Sequence, residues 1–149
     1  MLDLYSNADY IGQAKALEIF KQLFSGCTVQ YEQHYSDKSP IDIYVTATTK
    51  NGKVSTYAVE CKDRNFSIDR YDNMMIERHK YNSIKSVSGY KPIYFNTFTD
   101  GYAVWNLQNT PYEERNVNCG KSTVEDKGKI DKVCYFLNKK DCIASGKTN

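Results

Sequence analysis

The chain has 149 residues, of which 40% are hydrophobic and 26% charged, and its formal net charge is +2. This length suits one domain with a single core, and the composition is that of a globular protein rather than a collagen-like, coiled-coil or disulfide-scaffold class. No apolar run approaches the roughly 20 residues of a membrane helix, and so mild a net charge does not by itself indicate nucleic-acid binding.

The cysteines and the first residues of the chain bear on its compartment. The five cysteines are an odd number, no Cys-x-x-Cys spacing occurs, and the start lacks the basic and then apolar order of a secretory signal. These features predict reduced thiols and a cytoplasmic protein without membrane association.

A helix and a strand are predicted first. Ser6 suits an N-cap, apolar residues then recur at helical spacing, and Gly26 stops the pattern. We therefore predict an amphipathic helix over residues 7–24. Residues 27–34 alternate and are rich in valine and tyrosine, which is typical of a strand.

Two further strands are predicted after a polar loop at residues 36–40. Alternating apolar residues indicate a strand over 41–49, and residues 54–62 supply its returning partner. Between them, Asn51-Gly52 is the strongest short hairpin signal. Three consecutive strands of this kind predict an antiparallel meander.

A second helix is predicted after the meander. Residues 67–86 follow helical periodicity, with Ser67 placed to cap them. Residues 91–97 and 102–107 are then typical of two strands that pair around a turn.

The last part of the chain has a less regular pattern. Residues 108–128 are polar and irregular, residues 130–137 favour one more strand, and residues 145–149 are expected to fray. The resulting order, α-β-β-β-α-β-β with an extra strand, predicts an α/β fold in one domain over residues 1–149. Helices would flank a central mixed sheet.

Two acids and a lysine are predicted to meet at one end of the hairpin. Glu60 and Lys62 are two residues apart in a strand, so their side chains point to the same face. A turn centred on Asn51-Gly52 places Asp42, near the start of the partner strand, opposite about residue 61. Both carboxylates and the ammonium would then converge.

Such a cluster suits the hydrolysis of a phosphodiester. Two carboxylates can hold a hard divalent cation that binds phosphate oxygens, and a lysine can orient water and offset negative charge in the transition state. The backbone carbonyl of Cys61, between Glu60 and Lys62, could complete the coordination, with its thiol as a small buried apolar group.

The motif that carries these residues resembles a known family. Pro40-Ile41-Asp42, then seventeen residues, then Glu60-Cys61-Lys62, is similar to the signature of the PD-(D/E)XK nucleases, which have a restriction-endonuclease-like fold. The family's core order, αβββαβ, matches the predicted order over residues 7–107. Residues 108–149 would be a C-terminal extension, to which no role is assigned.

The resemblance implies a role for each residue of the motif. Asp42 and Glu60, with Cys61, would bind Mg²⁺ or Mn²⁺, and Lys62 would assist the attacking water. Glu18 on the first helix matches a glutamate that often supports the site in this family.

Basic residues after the motif are the candidates for contact with nucleic acid. The helix that follows the motif often contributes a polar or basic residue in this family, and Lys80, Arg78 or Glu77 could fill that role. Arg64, Arg78 and Lys80 could also follow a phosphate backbone. A mixed-charge solvated helix face is the alternative for these residues.

The resemblance implies a metal-dependent endonuclease or exonuclease that acts on DNA, with RNA left open as a substrate. A structure-selective enzyme of the Holliday-junction resolvase type would work as a symmetric homodimer, because two strands must be cut. Two alternatives remain: Glu60 and Lys62 as a surface salt bridge, and the same fold kept as a catalytically inactive nucleic-acid-binding or protein-interaction module.

Overall fold

A computed structural model describes residues 4–33, 41–120 and 129–148. Within these ranges the chain has an α/β fold with two α-helices, a mixed six-stranded sheet and a second sheet of three strands. No helix among the described residues has the length and apolar character needed to cross a membrane. The elements, numbered in chain order, are α1 (Leu4–Leu23), β1 (Thr28–Gln33), β2 (Ile43–Thr48), β3 (Val54–Asp63), β4 (Asn73–Glu77), α2 (Arg78–Lys85), β5 (Lys91–Thr97), β6 (Gly101–Asn106), β7 (Glu113–Gly120), β8 (Lys129–Asn138) and β9 (Ala144–Lys147).

The larger sheet has the strand order β1-β2-β3-β5-β6-β9 and the smaller sheet the order β4-β8-β7. The predicted meander of β1, β2 and β3 is confirmed, with antiparallel pairing throughout. Gly52 adopts φ 84° in the hairpin, a value that glycine tolerates without steric cost. Since β3 pairs with β5 in parallel, the sheet is mixed, as expected.

The two faces of the larger sheet are covered by different layers. Ala16, Leu17 and Phe20 of α1 pack with Val59 and Phe95 on one face. On the other face, α2 and the smaller sheet share a core in which Ile84 and Leu137 pack with Trp105. Neighbouring residues of β3 and β5 alternate between these two clusters, because side chains alternate along a strand.

The predicted helix over residues 67–86 is largely wrong, because residues 73–77 form β4 and only residues 78–85 are helical. Met74 and Ile76 are buried within β4, which pairs with β8 about 60 residues later in the chain. A local helical rhythm cannot report a partner so distant, and tertiary pairing overrides it.

Other differences concern element ends and polar strands. α1 begins at Leu4, so Ser6 lies inside the helix rather than capping it. Part of the segment predicted as irregular is the polar strand β7, which gains its structure by pairing with β8. The terminal segment expected to fray overlaps β9, which pairs with β6. The predicted loop at residues 36–40 and His34 lie outside the described residues, as do residues 121–128.

Candidate active site

A cleft lies where β3 and β5 of the larger sheet face β4 and the start of α2. Its walls come from two layers of the fold, so it exists only where the two sheets meet. Its lining residues are mostly charged or polar: Glu60, Lys62, Arg64, Met75, Ile76, Glu77, Lys80 and Tyr94.

Strand alternation places Glu60 and Lys62 in this cleft. Val59 belongs to the core under α1, whereas Ala58 belongs to the core shared with the smaller sheet, so Glu60 and Lys62 point to that second side. In the parallel register with β5, Glu60 lies beside Tyr94. The side chain of Glu60 is only 13% exposed, whereas Lys62 remains open to solvent at the mouth of the cleft.

Asp42 approaches Glu60 from the position just before the neighbouring strand β2. Its backbone N–H donates to the carbonyl of Val59 at 3.2 Å, and its Oδ2 accepts from the backbone N–H of Cys61 at 2.8 Å. Asp42 lies close enough to Glu60 for its charge and a hydrogen bond to act on the Glu60 carboxyl, and the charge of Lys62 acts on the same carboxyl, so the predicted grouping of the three side chains is found around Glu60. Asp42 itself is not among the residues that line the cleft. Pro40 of the motif lies outside the described residues.

The surroundings of Glu60 work against its negative charge. Burial raises the pKa of its carboxyl well above the usual value, and the charge of Asp42 raises it further. Lys80, whose Nζ lies 3.9 Å from Glu60 Oε1, and Lys62 oppose this rise but do not cancel it. Two acids side by side in a poorly hydrated place favour either a shared proton or a bound cation.

The pKa of Lys62 is shifted in the opposite sense, which favours a neutral amine. Partial loss of water around the ammonium lowers this pKa most, and the positive charges of Lys80 and Arg64 lower it further. Glu77 and Glu60 oppose the shift. Lys62 therefore gives up its proton more readily than a lysine in water, which suits a group that moves a proton during a reaction.

Arg64 is half-buried in the wall of the cleft, and its guanidinium donates to groups of the protein. Its Nε donates to Asn96 Oδ1 at 2.8 Å, and its Nη2 donates to the Met75 carbonyl at 2.7 Å and to Tyr94 Oη at 3.0 Å. Arg64 is predicted from the sequence to contact phosphate because its hydrogen-bond partners are distant in the sequence and cannot be identified from it.

Lys80 and Arg78 differ in their relation to the cleft. Lys80 lies in the first turn of α2 and contacts Glu60, as expected for the helix that follows the motif. Arg78 is exposed, and it lies close enough to Tyr135 in the smaller sheet for its charge to act on that hydroxyl.

Glu18 does not join the carboxylates. Its side chain is 71% exposed and contacts Lys21 at 3.5 Å, and α1 packs on the face of the larger sheet opposite to Glu60. The position expected to support the site is therefore a solvated helix glutamate. Its spacing from the helix start could not show this, because the rotation of α1 on the larger sheet decides which helix face is buried.

Two residues in or near the cleft, Tyr94 and Lys132, are not predicted from the sequence. Tyr94 could have been found, since β5 was predicted correctly and a parallel register with β3 brings it beside Glu60. Lys132, whose Nζ lies 3.4 Å from Glu77 Oε1, could not, because the pairing of β4 with β8 was not visible in the sequence.

The donor set fits a hard cation with few protein ligands. Among the residues that the structure describes, no three His, Cys, Asp or Glu side chains are grouped to hold a metal ion. Mg²⁺ nevertheless commonly binds through one or two carboxylates and fills the remaining positions with water and phosphate oxygens. Asp42 and Glu60 meet that requirement, and a cation would relieve the unfavourable proximity of their charges.

Comparison of the chain with protein-family models, with curated proteins and with solved structures finds no significant match.

Proposed function

We propose that the protein is a metal-dependent nuclease that hydrolyses phosphodiester bonds of DNA. The single observation that carries the proposal is the grouping of Asp42 and Lys62 around Glu60, at a cleft that Glu60 and Lys62 line, with the pKa of Glu60 shifted upward and that of Lys62 downward. Opposed shifts of neighbouring acid and base groups are typical of functional sites.

The order of elements supports a restriction-endonuclease-like core. α1, the meander of β1 to β3, then α2 and β5 follow the order αβββαβ, with β4 inserted before α2. The parallel pairing of β3 with β5 places the motif strand at the centre of the larger sheet. Residues of the C-terminal extension form the other two strands of the smaller sheet and the last strand of the larger one.

Each residue of the site would have a separate chemical role. Asp42, Glu60 and the carbonyl of Cys61 would hold Mg²⁺ or Mn²⁺, which when bound supplies Lewis-acid stabilisation of charge on the phosphate. Lys62 orients a water molecule and accepts or returns a proton, for which its lowered pKa suits it. Lys80 places a second positive charge beside Glu60, where phosphate oxygens would enter.

A cleavage assay with charge-matched variants tests the proposal. Purified protein should cut DNA in Mg²⁺ or Mn²⁺ and stop in EDTA, and Glu60→Gln and Lys62→Met should each lower the rate about 100-fold or more. Glu18→Gln is the matched control, because it makes the same chemical change on the solvated face of α1. Full activity in Glu60→Gln or Lys62→Met, or cleavage that survives EDTA, would show that the proposal is wrong.

The alternative function is a non-catalytic nucleic-acid-binding or protein-interaction module on the same fold. The observation in its favour is the position of Glu18, which leaves Asp42 and Glu60 without the supporting helix glutamate that the resemblance implies. This alternative predicts DNA binding that is unchanged by EDTA, no cleavage by the unsubstituted protein, and no heat of Mg²⁺ binding by calorimetry.

The substrate form and the oligomeric state are linked within the nuclease proposal. A four-way junction needs two symmetric cuts, so its cleavage would require a homodimer. Sedimentation of the protein with and without junction DNA, next to cleavage of junction, duplex, single-stranded DNA and RNA, separates these substrate classes.

A further inference from the structure

We infer that Arg64 and Tyr94 are positioning residues that clamp the two sheets together under the cleft, and that neither contacts the substrate. Their relevance to catalysis rests on the proposed nuclease function. The clamp itself rests on a set of hydrogen bonds around one backbone carbonyl, that of Met75.

The clamp is a closed triangle of hydrogen bonds. Arg64 Nη2 donates to the Met75 carbonyl at 2.7 Å and to Tyr94 Oη at 3.0 Å, while the Tyr94 hydroxyl donates to the same carbonyl at 2.8 Å. Arg64 Nε donates in addition to Asn96 Oδ1 at 2.8 Å. Tyr94 and Asn96 are buried, so water competes poorly for these bonds.

The bonded groups belong to different sheets. Tyr94 and Asn96 lie on β5 of the larger sheet, and Met75 lies on β4 at the edge of the smaller sheet. Two residues after Met75, Glu77 is the N-cap residue of α2, and Lys80 follows in the first turn. Fixing Met75 therefore fixes the start of α2, and with it the position of Lys80 over Glu60.

The arginine and tyrosine side chains can make these hydrogen bonds, whereas lysine and phenylalanine, their conservative replacements, cannot make all of them. The planar guanidinium offers several donors in a fixed fork, so it can bind Asn96 on one side and Met75 and Tyr94 on another, whereas an ammonium is a single point of charge. The Tyr94 hydroxyl both accepts from Arg64 and donates to Met75, and a phenylalanine at that position can do neither.

The clamp also distinguishes Arg64 from the exposed cations of the cleft. A guanidinium that contacted phosphate would have to leave three acceptors behind, two of them in a poorly hydrated place. Lys62 and Lys80 carry no such commitment, so the positive charges that meet a substrate are theirs.

The inference is tested with Arg64→Lys and Tyr94→Phe, with Arg78→Lys and Tyr90→Phe as controls that make the same changes on exposed residues. Amide hydrogen exchange is measured in EDTA without DNA. Both clamp variants should speed exchange at least tenfold in β4 and the first turn of α2 and leave β1 and β2 unchanged, while the controls match the parent protein. Unchanged exchange in β4 and α2 overturns the inference whether or not the protein cleaves DNA.

Kinetics and salt dependence then separate positioning from a phosphate contact. Both clamp variants should lower kcat about 10- to 100-fold with KM nearly unchanged. The dependence of DNA binding on salt should stay as in the parent protein, because a lost phosphate contact would reduce that slope by about one. An Arg64→Lys variant with full kcat, a silent Tyr94→Phe, or an Arg64→Gln variant with a slope reduced by one overturns the inference. If exchange is faster in the clamp variants but neither the parent protein nor any variant cleaves DNA, the nuclease proposal is wrong and the inference about the hydrogen bonds of the clamp is supported.

Discussion

At the scale of single residues, the surroundings of Glu60 disfavour its charged form and so lower the stability of the fold at neutral pH. A carboxyl that is removed from water beside another carboxylate is disfavoured in its charged form, and here two lysines offset only part of that cost. Proteins retain such an arrangement where a reaction or a ligand requires it, because neutral side chains would fold more stably. The free energy of unfolding should therefore depend on the protonation state of Glu60.

The substitution Glu60→Gln should stabilise the fold at neutral and higher pH. Because the folded pKa lies above the unfolded value, the folded state keeps a proton that the unfolded chain releases, and stability falls as the pH rises through that interval. Each tenfold change in the acid constant corresponds to about 1.4 kcal/mol. Urea unfolding at pH 4 and pH 8 measures the gain at pH 8 and its absence at pH 4.

The control for this measurement is Glu18→Gln, whose side chain is exposed on α1. Its unfolding free energy should follow that of the parent protein at both pH values, within about 0.5 kcal/mol. A Glu60→Gln variant that is less stable than the parent at pH 8 would mean that the lysines, rather than burial and Asp42, dominate the charge balance.

The sequence identified the central residues of the cleft but not their supports. The alternation of β3 and the hairpin register, two local rules, sufficed to bring Asp42, Glu60 and Lys62 together. The inward turn of Arg64 depends on Met75 of another sheet, and the outward position of Glu18 depends on how α1 rotates on the larger sheet. Neither is encoded in a short stretch of sequence.

At the scale of elements, the sequence predicts those that depend on local patterns and misses strands that depend on distant partners. α1, the meander with its Asn51-Gly52 turn, and β5 follow from periodicity and turn chemistry, so they were predicted closely. β4, β7 and β9 are strands because of the strands beside them, and β7 in particular is a polar segment. Their residues have little intrinsic preference for the extended state, which is why sequence patterns missed them.

The contact between β6 and β9 predicts that Gly101→Ala destabilises the protein. A Cβ added at Gly101 would lie 2.6 Å from the backbone carbonyl oxygen of Gly146, and a backbone atom cannot rotate away as a side chain can. β9 must then move from its partner strand, at a cost of about 1–3 kcal/mol. Urea unfolding measures this loss.

Ser145→Ala is the matched control for β9, because Ser145 is exposed on the same strand and the change removes one hydroxyl. It should alter the unfolding free energy by less than about 0.5 kcal/mol. If Gly101→Ala is equally silent, then β9 is not held closely against β6 in solution.

At the scale of the whole molecule, the two sheets share one of the two hydrophobic cores. Leu137 of the smaller sheet and Trp105 of the larger one are both fully buried in it, and Trp105 Nε1 donates to the carbonyl of Asn138 on β8 at 2.9 Å. A shared core of this kind favours one cooperative unfolding transition for both sheets.

Leu137→Ala should lower the stability of the entire fold by about 2–5 kcal/mol, because it leaves a cavity between the sheets. Trp105 is the single tryptophan of the chain, so its fluorescence reports the larger sheet, while circular dichroism reports all elements. The two signals should shift together in urea. Val54→Ala, at an exposed position on β3, serves as the control, and separate transitions in Leu137→Ala would mean that the sheets unfold independently.

The division of the cleft between two sheets has a consequence for how the protein matures. Asp42 and Glu60 lie just before β2 and on β3, two strands that pair with each other early along the chain, whereas the strand that carries Met75 needs β8, which is synthesised much later. Long-range pairing of this sort forms slowly. An incomplete chain on the ribosome would therefore carry Asp42 and Glu60 without the wall that β4 and the start of α2 provide. Any cleavage of nucleic acid by the protein would begin only after β8 has been synthesised.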